Sequence, residues 1–115
     1  MKNKMYTMKF ATIYPLYLAK AIRKKRTTEE VNEVISWLTG YSEEDIKIKI
    51  ESEVTMEEFF KEAPTMNPNR ELIKGSICGV KLAEIEDDIE KDIRYLDKLV
   101  DELAKGKVME KILRK

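Results

Sequence analysis

The chain has 115 residues, of which 43% are hydrophobic and 38% charged, so it is large enough for one folded domain and too apolar for a disordered polyelectrolyte. Histidine is absent and cysteine occurs once, which excludes Ser-His-Asp and Cys-His catalysis, zinc sites built on histidine or several cysteines, and an internal disulfide. The formal net charge is zero, yet residues 1–26 hold eight basic and no acidic residues, whereas residues 27–64 hold eleven acidic and three basic ones.

The first predicted helix follows residues 1–11, which we treat as a candidate flexible N-terminal segment of a single domain over residues 1–115. The helix opens at Thr12, which places Pro15 in the first turn, where proline is tolerated. Its apolar positions recur at helical spacing to about Lys25. The basic C-terminal half of this helix is expected to be exposed.

The second predicted helix has clear limits. Thr27 and Glu30 have the spacing of a capping box, in which each side chain bonds to the other residue's backbone nitrogen. Gly40 is a typical C-terminal stop. Between them, apolar residues recur at steps of three and four: Val31, Val34, Ile35 and Leu38.

Residues 42–54 carry conflicting signals. Ser42 followed by three acidic residues favours a helix start, whereas the alternation from Ile46 to Ile50 is typical of a strand. A helix would place Ile46, Ile50 and Val54 on one face and allow side-chain ion pairs worth about 0.2–0.5 kcal/mol each. We therefore predict a third helix here.

A fourth, short helix is predicted from a second capping box formed by Thr55 and Glu58. It contains two apolar aromatic residues and ends before Pro64, because the residue before a proline disfavours helical backbone. The aromatic residues are Phe59 and Phe60.

Residues 63–70 form the one clear predicted loop. Within it, Asn67 could also cap a short helix over residues 68–74 that Gly75 would close. The apolar residues 77–80 fit either an extended connector or a buried helical turn, and the sequence leaves both open.

The C-terminal third predicts a long helix from Ile85 to Gly106 and a short one over residues 108–113. Five apolar residues define one seam, and Tyr95 and Leu99 widen it beyond what a two-helix contact needs. We therefore expect this helix to lie in the core, with any homodimer built on neighbouring surface. The seam residues are Ile89, Ile93, Leu96, Val100 and Leu103. The predicted fold is mainly α: a compact single domain of five to six helices with a long C-terminal helix.

The basic segment has two interpretations: it packs against the acidic second quarter of the chain, or it contacts an external polyanion. It has no base-reading or stacking pattern, so the second interpretation allows only nonspecific nucleic-acid binding, and we favour the first. The candidate nucleic-acid contacts are Lys20, Arg23, Lys24, Lys25 and Arg26, which basic residues at the C-terminus could join.

The candidate ligand-binding residues lie in and after the loop. Asn67, Asn69 and Arg70 are the side-chain donors that converge there, and they could hold a small anionic ligand or serve only to fix the loop. Cys78 could contribute to such a site, although the chain has no histidine to activate it, and a buried apolar role is favoured.

An acidic cluster lies at the N-terminus of the predicted long helix, but its spacing is not that of a calcium loop. Negative charge is also favourable at a helix N-terminus, so we predict no metal site and no cofactor. The cluster comprises Glu84, Glu86, Asp87, Asp88 and Glu90.

Several short strings, spread in order over nearly the whole chain, resemble the bacterial family known as domain of unknown function 2200. They are Tyr14-Pro15-Leu16-Tyr17, Trp37-Leu38-Thr39-Gly40-Tyr41, Ala63-Pro64, Asn67-Pro68-Asn69-Arg70, Ile77-Cys78-Gly79-Val80, Arg94-Tyr95-Leu96-Asp97-Lys98-Leu99 and Ala104-Lys105-Gly106-Lys107. The resemblance implies a compact, standalone, cytoplasmic bacterial protein, and it supplies no catalytic residue, substrate or cofactor.

The sequence alone does not identify a function. The interpretation it supports is a small non-enzymatic binding or interaction protein, with a protein partner, a small anionic ligand or a second copy of the chain as partner. The alternatives are a nonspecific nucleic-acid binder and an enzyme-like small-molecule site around Asn67. An unpaired cysteine suits the reducing cytoplasm, and no apolar run approaches the ~18 residues of a membrane helix.

Overall fold

Six α-helices account for most of the chain described by the computed structural model, which covers residues 4–77 and 79–114. They are α1 (Phe10–Arg23), α2 (Thr28–Thr39), α3 (Glu43–Glu51), α4 (Met56–Lys61), α5 (Asp88–Ala104) and α6 (Met109–Ile112). Three short 3-10 helices span Lys4–Thr7, Pro68–Leu72 and Leu82–Glu84, and two short strands are β1 (Ser76–Ile77) and β2 (Val80–Lys81). The prediction of a mainly helical fold with five to six helices is confirmed.

The long helix α5 lies at the centre of the fold. It contacts α1, α2, α4, α6 and β1. Leu96, Leu99 and Leu103 are fully buried, and Tyr95 and Val100 are nearly so. Because seam and flanking positions are buried together, α5 is a core helix, as predicted.

Helix α1 begins and ends two residues earlier than predicted. It starts at Phe10, so Pro15 lies inside the helix rather than in its first turn. The start moves upstream because Phe10 is fully buried and stacks on Phe59, with ring centroids 4.0 Å apart and planes 6° apart. It ends before Lys25 because that residue takes a left-handed φ of 65°, which closes the helix.

Residues 4–11 of the candidate flexible segment pack against the rest of the chain, and residues 1–3 lie outside the described residues. Tyr6 is 3% exposed and its hydroxyl donates to the Asp87 carboxylate. Lys9 pairs with Thr55 in an isolated antiparallel bridge. Burial of Tyr6 and Phe10 gives this stretch a fixed place in the core, which local sequence signals did not reveal.

Capping boxes start α2 and α4 as their sequences predict, and a third, which was not predicted as such, starts α3. Ser42 resolves the conflict over α3, because its hydroxyl accepts from the backbone nitrogen of Asp45 and the Asp45 carboxylate accepts in return from that of Ser42. On this helix Ile46 is buried and Ile48 is exposed, so the alternating isoleucines do not form a strand.

The loop after α4 crosses the C-terminal end of α2. The backbone nitrogens of Thr65 and Asn67 donate to the carbonyls of Thr39 and Leu38, at 3.1 and 2.9 Å. Gly40 has a φ of 82°, and a Cβ there would lie 2.9 Å from the backbone nitrogen of Thr65. Glycine is needed here both for the left-handed backbone and for this close approach.

The segment left open around residues 77–80 forms a small antiparallel hairpin. Ser76 pairs with Lys81 and Ile77 with Val80. The extended alternative is therefore correct at Ile77 and Val80, and Cys78 lies outside the described residues. The hairpin lies against α5, and it brings residues on either side of its turn to one face of that helix.

Among the described residues, no helix is long and apolar enough to cross a membrane.

Candidate functional site

The loop that leads into the hairpin is held by its own side chains. The Asn67 side-chain oxygen accepts from the backbone nitrogen of Asn69 at 2.8 Å and caps the 3-10 helix that begins at Pro68. The Arg70 guanidinium donates to the Asn67 carbonyl, also at 2.8 Å. These bonds fix the loop through its own side chains and backbone.

Arg70 also joins this loop to α5. Its Nε lies 3.3 Å from Oδ1 of Asp92, which is only 9% exposed. Burial raises the pKa of Asp92 to about 6, although the neighbouring Arg70 acts in the opposite direction. The ion pair therefore holds the loop on α5, although burial of the Asp92 carboxylate removes it from solvent.

Next to this ion pair, the loop, the hairpin and α5 enclose a cleft of about 400 Å³, which lies in the usual range for small-molecule sites. We call it the α5 cleft. Its base is apolar, since Ile73 and Leu82 are each 2% exposed and Tyr95 is 3% exposed. Its lining residues are Glu71, Ile73, Lys74, Gly75, Ser76, Lys81, Leu82, Ala83, Lys91 and Tyr95.

The α5 cleft is positively charged. Lys74, Lys81 and Lys91 line it, and Glu71 is the one carboxylate in the lining. None of these lysines forms an ion pair within residues 4–77 and 79–114. Lys91 lies over the Tyr95 ring, 6.0 Å from its centroid. Three cations around an apolar base favour an anionic ligand that carries an apolar part.

The hairpin geometry at Gly75 shapes one wall of the cleft. Gly75 has a φ of 101°, and its carbonyl accepts from the backbone nitrogen of Leu82 at 3.0 Å. Lys98 of α5 donates to the Ser76 carbonyl at 3.3 Å. Both bonds hold the open end of the hairpin, so contacts within the chain shape this wall of the cleft.

The predicted ligand-binding residues lie beside the α5 cleft rather than in its lining. Asn67 and Arg70 use their side chains to fix the loop, and the Asn69 amide lies 3.4 Å from the Arg114 carbonyl. Cys78 lies outside the described residues. The loop-fixing role that the sequence allowed for the asparagines and arginine is the one these contacts support, and a direct role in binding stays a prediction.

The predicted nucleic-acid residues are partly used in contacts within the chain. Lys20 pairs with Asp101 at 3.2 Å, and Arg26 pairs with Glu30 at 2.7 Å while donating to the Lys107 carbonyl. The side chain of Glu30 has a lowered pKa, chiefly because of its hydrogen bond from Arg26. The other three residues of the set, Arg23, Lys24 and Lys25, are exposed.

The C-terminus meets the basic segment through Lys107, whose carbonyl accepts from Arg26. Lys105, Lys107 and Arg114 are paired with carboxylates, whereas Lys115 lies outside the described residues. Arg114 makes a bidentate contact with Glu102, at 2.6 and 2.8 Å, and Lys107 lies 3.4 Å from the same carboxylate. Burial opposes ionisation of Glu102, yet these cations hold its pKa below the usual value.

The acidic cluster before α5 contains the cap of that helix. The Asp87 carboxylate accepts from the backbone nitrogen of Glu90 at 3.0 Å and from the Tyr6 hydroxyl. In the part of the chain that the structure describes, no three carboxylate or thiol side chains are placed to hold a metal ion.

Sequence reasoning missed the lysines of the α5 cleft. Lys74, Lys81 and Lys91 come from three segments, and each alone reads as an ordinary surface residue. The one signal near them was the cluster Asn67, Arg70 and Gly75, which indicated a shaped loop without indicating that a hairpin would close it against α5.

Two comparisons with known proteins found a match. A model of the family DUF2200, described as an uncharacterised protein conserved in bacteria, matches residues 4–114. The chain is similar to the uncharacterised protein SP1917, known from a crystal structure: the two are 47% identical, the match covers 98% of this chain and 93% of that one, and the TM-score is 0.92. No curated protein matches.

Proposed function

For this chain, which belongs to the DUF2200 family of uncharacterised proteins conserved in bacteria, we propose a role as a non-enzymatic protein that binds a small anionic molecule in the α5 cleft. The ligand class is an organic anion with carboxylate or phosphate groups and a short apolar part. The proposal includes a cytoplasmic location, which the unpaired cysteine supports.

One observation carries the proposal: Lys74, Lys81 and Lys91 converge on a cleft with an apolar base, and none of them has an ion-pair partner among the described residues. Clustered lysines repel one another, so their convergence is favourable only when an anion or solvent compensates. A cleft wall that contacts within the chain already hold also reduces the ordering cost of binding.

The basic end of α1 supports the nucleic-acid alternative less well. Lys20 and Arg26 already have carboxylate partners, which leaves Arg23, Lys24 and Lys25 as a short exposed group. Such a group supports weak, salt-sensitive polyanion contact rather than a shaped site.

The non-enzymatic part of the proposal follows from the chemistry of the cleft lining. The chain has no histidine, and the carboxylate in the lining, Glu71, is exposed. Ser76 lies nearby, but its carbonyl, not its hydroxyl, is held by Lys98. The lining thus offers charge and shape for binding without a nucleophile and base arranged as a pair.

Calorimetric titration and thermal melting with citrate and with phenyl phosphate test the proposal. Both anions should raise the melting temperature above a sodium chloride control of equal ionic strength. At about 100 times the dissociation constant, binding should stabilise the folded chain by about 2.7 kcal/mol. A Lys74→Ala/Lys81→Ala double variant should lose this response while melting normally without anion.

The matched control is an Arg23→Ala/Lys24→Ala double variant, which removes the same charge from the exposed end of α1. It should respond to both anions like the unmodified chain. If the response were lost in this variant and kept in the cleft variant, the basic end of α1 would be the binding site and the proposal would be wrong.

A further inference from the structure

A second cleft continues along the same face of α5. It has a volume of about 380 Å³ and is lined by Lys98, Glu102, Lys105, Gly106 and Lys107. The α5 residues of the two clefts are 91, 95, 98, 102 and 105, whose steps of four and three place them on one face of the helix. This face is about 21 Å long, since a helix rises about 1.5 Å per residue.

Lys98 joins the two clefts. It lines the second cleft, and its ammonium lies 3.3 Å from the carbonyl of Ser76, which lines the α5 cleft. A Cβ at Gly75 would lie only 3.4 Å from the same ammonium. The two clefts therefore adjoin at Lys98, and we refer to the surface that they form together as the α5 groove.

The α5 groove is basic over its whole length. Its six lysines are Lys74, Lys81, Lys91, Lys98, Lys105 and Lys107. The two carboxylates of the lining are Glu71 and Glu102. Glu102 is 7% exposed and is paired with Arg114 and with Lys107, and Lys105 pairs with Asp101 at 3.1 Å although its side chain is 72% exposed. The lysines still outnumber the carboxylates in and beside the groove, so its net charge is positive.

A single compact anion would occupy only one end of such a groove, whereas an extended chain with several anionic groups would contact both. An extended peptide rises about 3.3 Å per residue, so about seven residues span 21 Å. Nucleic acid fits the groove less well than a peptide does. The groove lining holds no arginine, which is the usual residue for phosphate and base recognition. Its one aromatic ring, that of Tyr95, is buried under Lys91 and is not free to stack on a base.

We infer that the α5 groove binds an extended acidic peptide segment of a partner protein, about seven residues long, with aliphatic side chains over Ile73 and Leu82 and carboxylates along the lysines. The inference rests on the proposed function, because the α5 cleft is one of its two subsites. It adds a second subsite, at Lys105 and Lys107, that a small anion in the α5 cleft does not touch.

Fluorescence anisotropy with the full chain tests this, using a labelled heptapeptide of four glutamates and three leucines. The peptide should bind, and its version with glutamine in place of glutamate should not. Lys105→Glu should weaken peptide binding about tenfold while leaving citrate binding within twofold, because only the peptide reaches the second cleft. Lys81→Glu should weaken both.

Lys47→Glu is the matched control, because it makes the same charge change on an exposed residue of α3. Helix α3 packs against α1 and α2 and does not line the groove, so this variant should leave peptide binding unchanged. Circular dichroism should give the same spectrum for all variants. An unchanged peptide affinity in Lys105→Glu, or equally tight binding of a seven-nucleotide oligothymidine, would overturn the inference. Citrate binding without peptide binding would remove the inference and leave the proposed function in place, whereas failure of both ligands would remove both.

Discussion

Replacement of Leu96 by alanine should destabilise the whole fold, because this side chain is fully buried at the centre of α5. The change removes three carbon atoms from a site surrounded by other helices, for which measured costs are about 3–5 kcal/mol. A chain of this length has a total stability of about 6–17 kcal/mol, so the variant should still fold. With an unfolding entropy of about 0.24 kcal/mol/K, the melting temperature should fall by about 12–20 °C.

Leu16→Ala is the matched control, since it removes the same atoms from a residue of α1 that is 60% exposed. It should change the free energy of unfolding by less than about 0.5 kcal/mol. Urea titration followed by circular dichroism measures both variants, and light scattering measures their mass. If Leu96→Ala melted like the unmodified chain and only shifted from dimer to monomer, α5 would be an interface and the assignment of the core would be wrong.

Three further predictions concern single contacts. Gly40→Ala should lower the free energy of unfolding by more than about 1 kcal/mol, because its φ is 82° and the new Cβ would approach the Thr65 backbone to 2.9 Å; a melting temperature equal to that of the unmodified chain would contradict this. Tyr17→Phe should cost about 1–3 kcal/mol in urea titration, since the hydroxyl donates to the Asp97 carboxylate at 3.1 Å and that carboxylate would lose a donor; no loss would mean that the bond contributes nothing. Burial raises the pKa of Asp92 to about 6. Between about pH 4 and 6 the folded chain therefore keeps a proton on Asp92 that the unfolded chain has lost. The contribution of Asp92 to the free energy of unfolding falls as pH rises through this range. Asp92→Asn should therefore gain stability relative to the unmodified chain between pH 4 and 7, by up to about 3 kcal/mol, and a difference that does not depend on pH would show that the carboxylate is not desolvated.

Local signals predicted the helices whose ends depend on neighbouring residues. The capping boxes that begin with Thr27 and Thr55 lie where expected, and Gly40 ends α2 in a left-handed conformation. Such signals act within three or four residues, so the sequence displays them directly. The same local chemistry at Ser42 explains why α3 is a helix despite its alternating isoleucines.

The start of α1 could not be predicted in this way, because it depends on distant residues. Phe10 begins the helix since it stacks on Phe59 and its backbone nitrogen donates to the Val54 carbonyl at 3.0 Å. These partners lie more than forty positions along the chain. Tertiary burial therefore offset the cost of placing Pro15 inside a helix.

The candidate site was predicted only in part, for the same physical reason. The sequence indicated that Asn67 and Arg70 order a loop, and their contacts agree with that role. The cleft itself requires Lys81 to come from a hairpin and Lys91 from α5, and only packing of the hairpin on that helix places them together. A surface lysine carries no local signal of such a convergence.

A two-dimensional ¹H–¹⁵N NMR titration of the chain with citrate shows directly whether the α5 cleft binds an anion. The amide signals of residues that line the cleft, Gly75, Ser76, Lys81 and Lys91, should shift, and they should not shift in the Lys74→Ala/Lys81→Ala variant. Shifts confined to residues 20–26, or no saturable shift in any residue, would contradict anion binding in the α5 cleft.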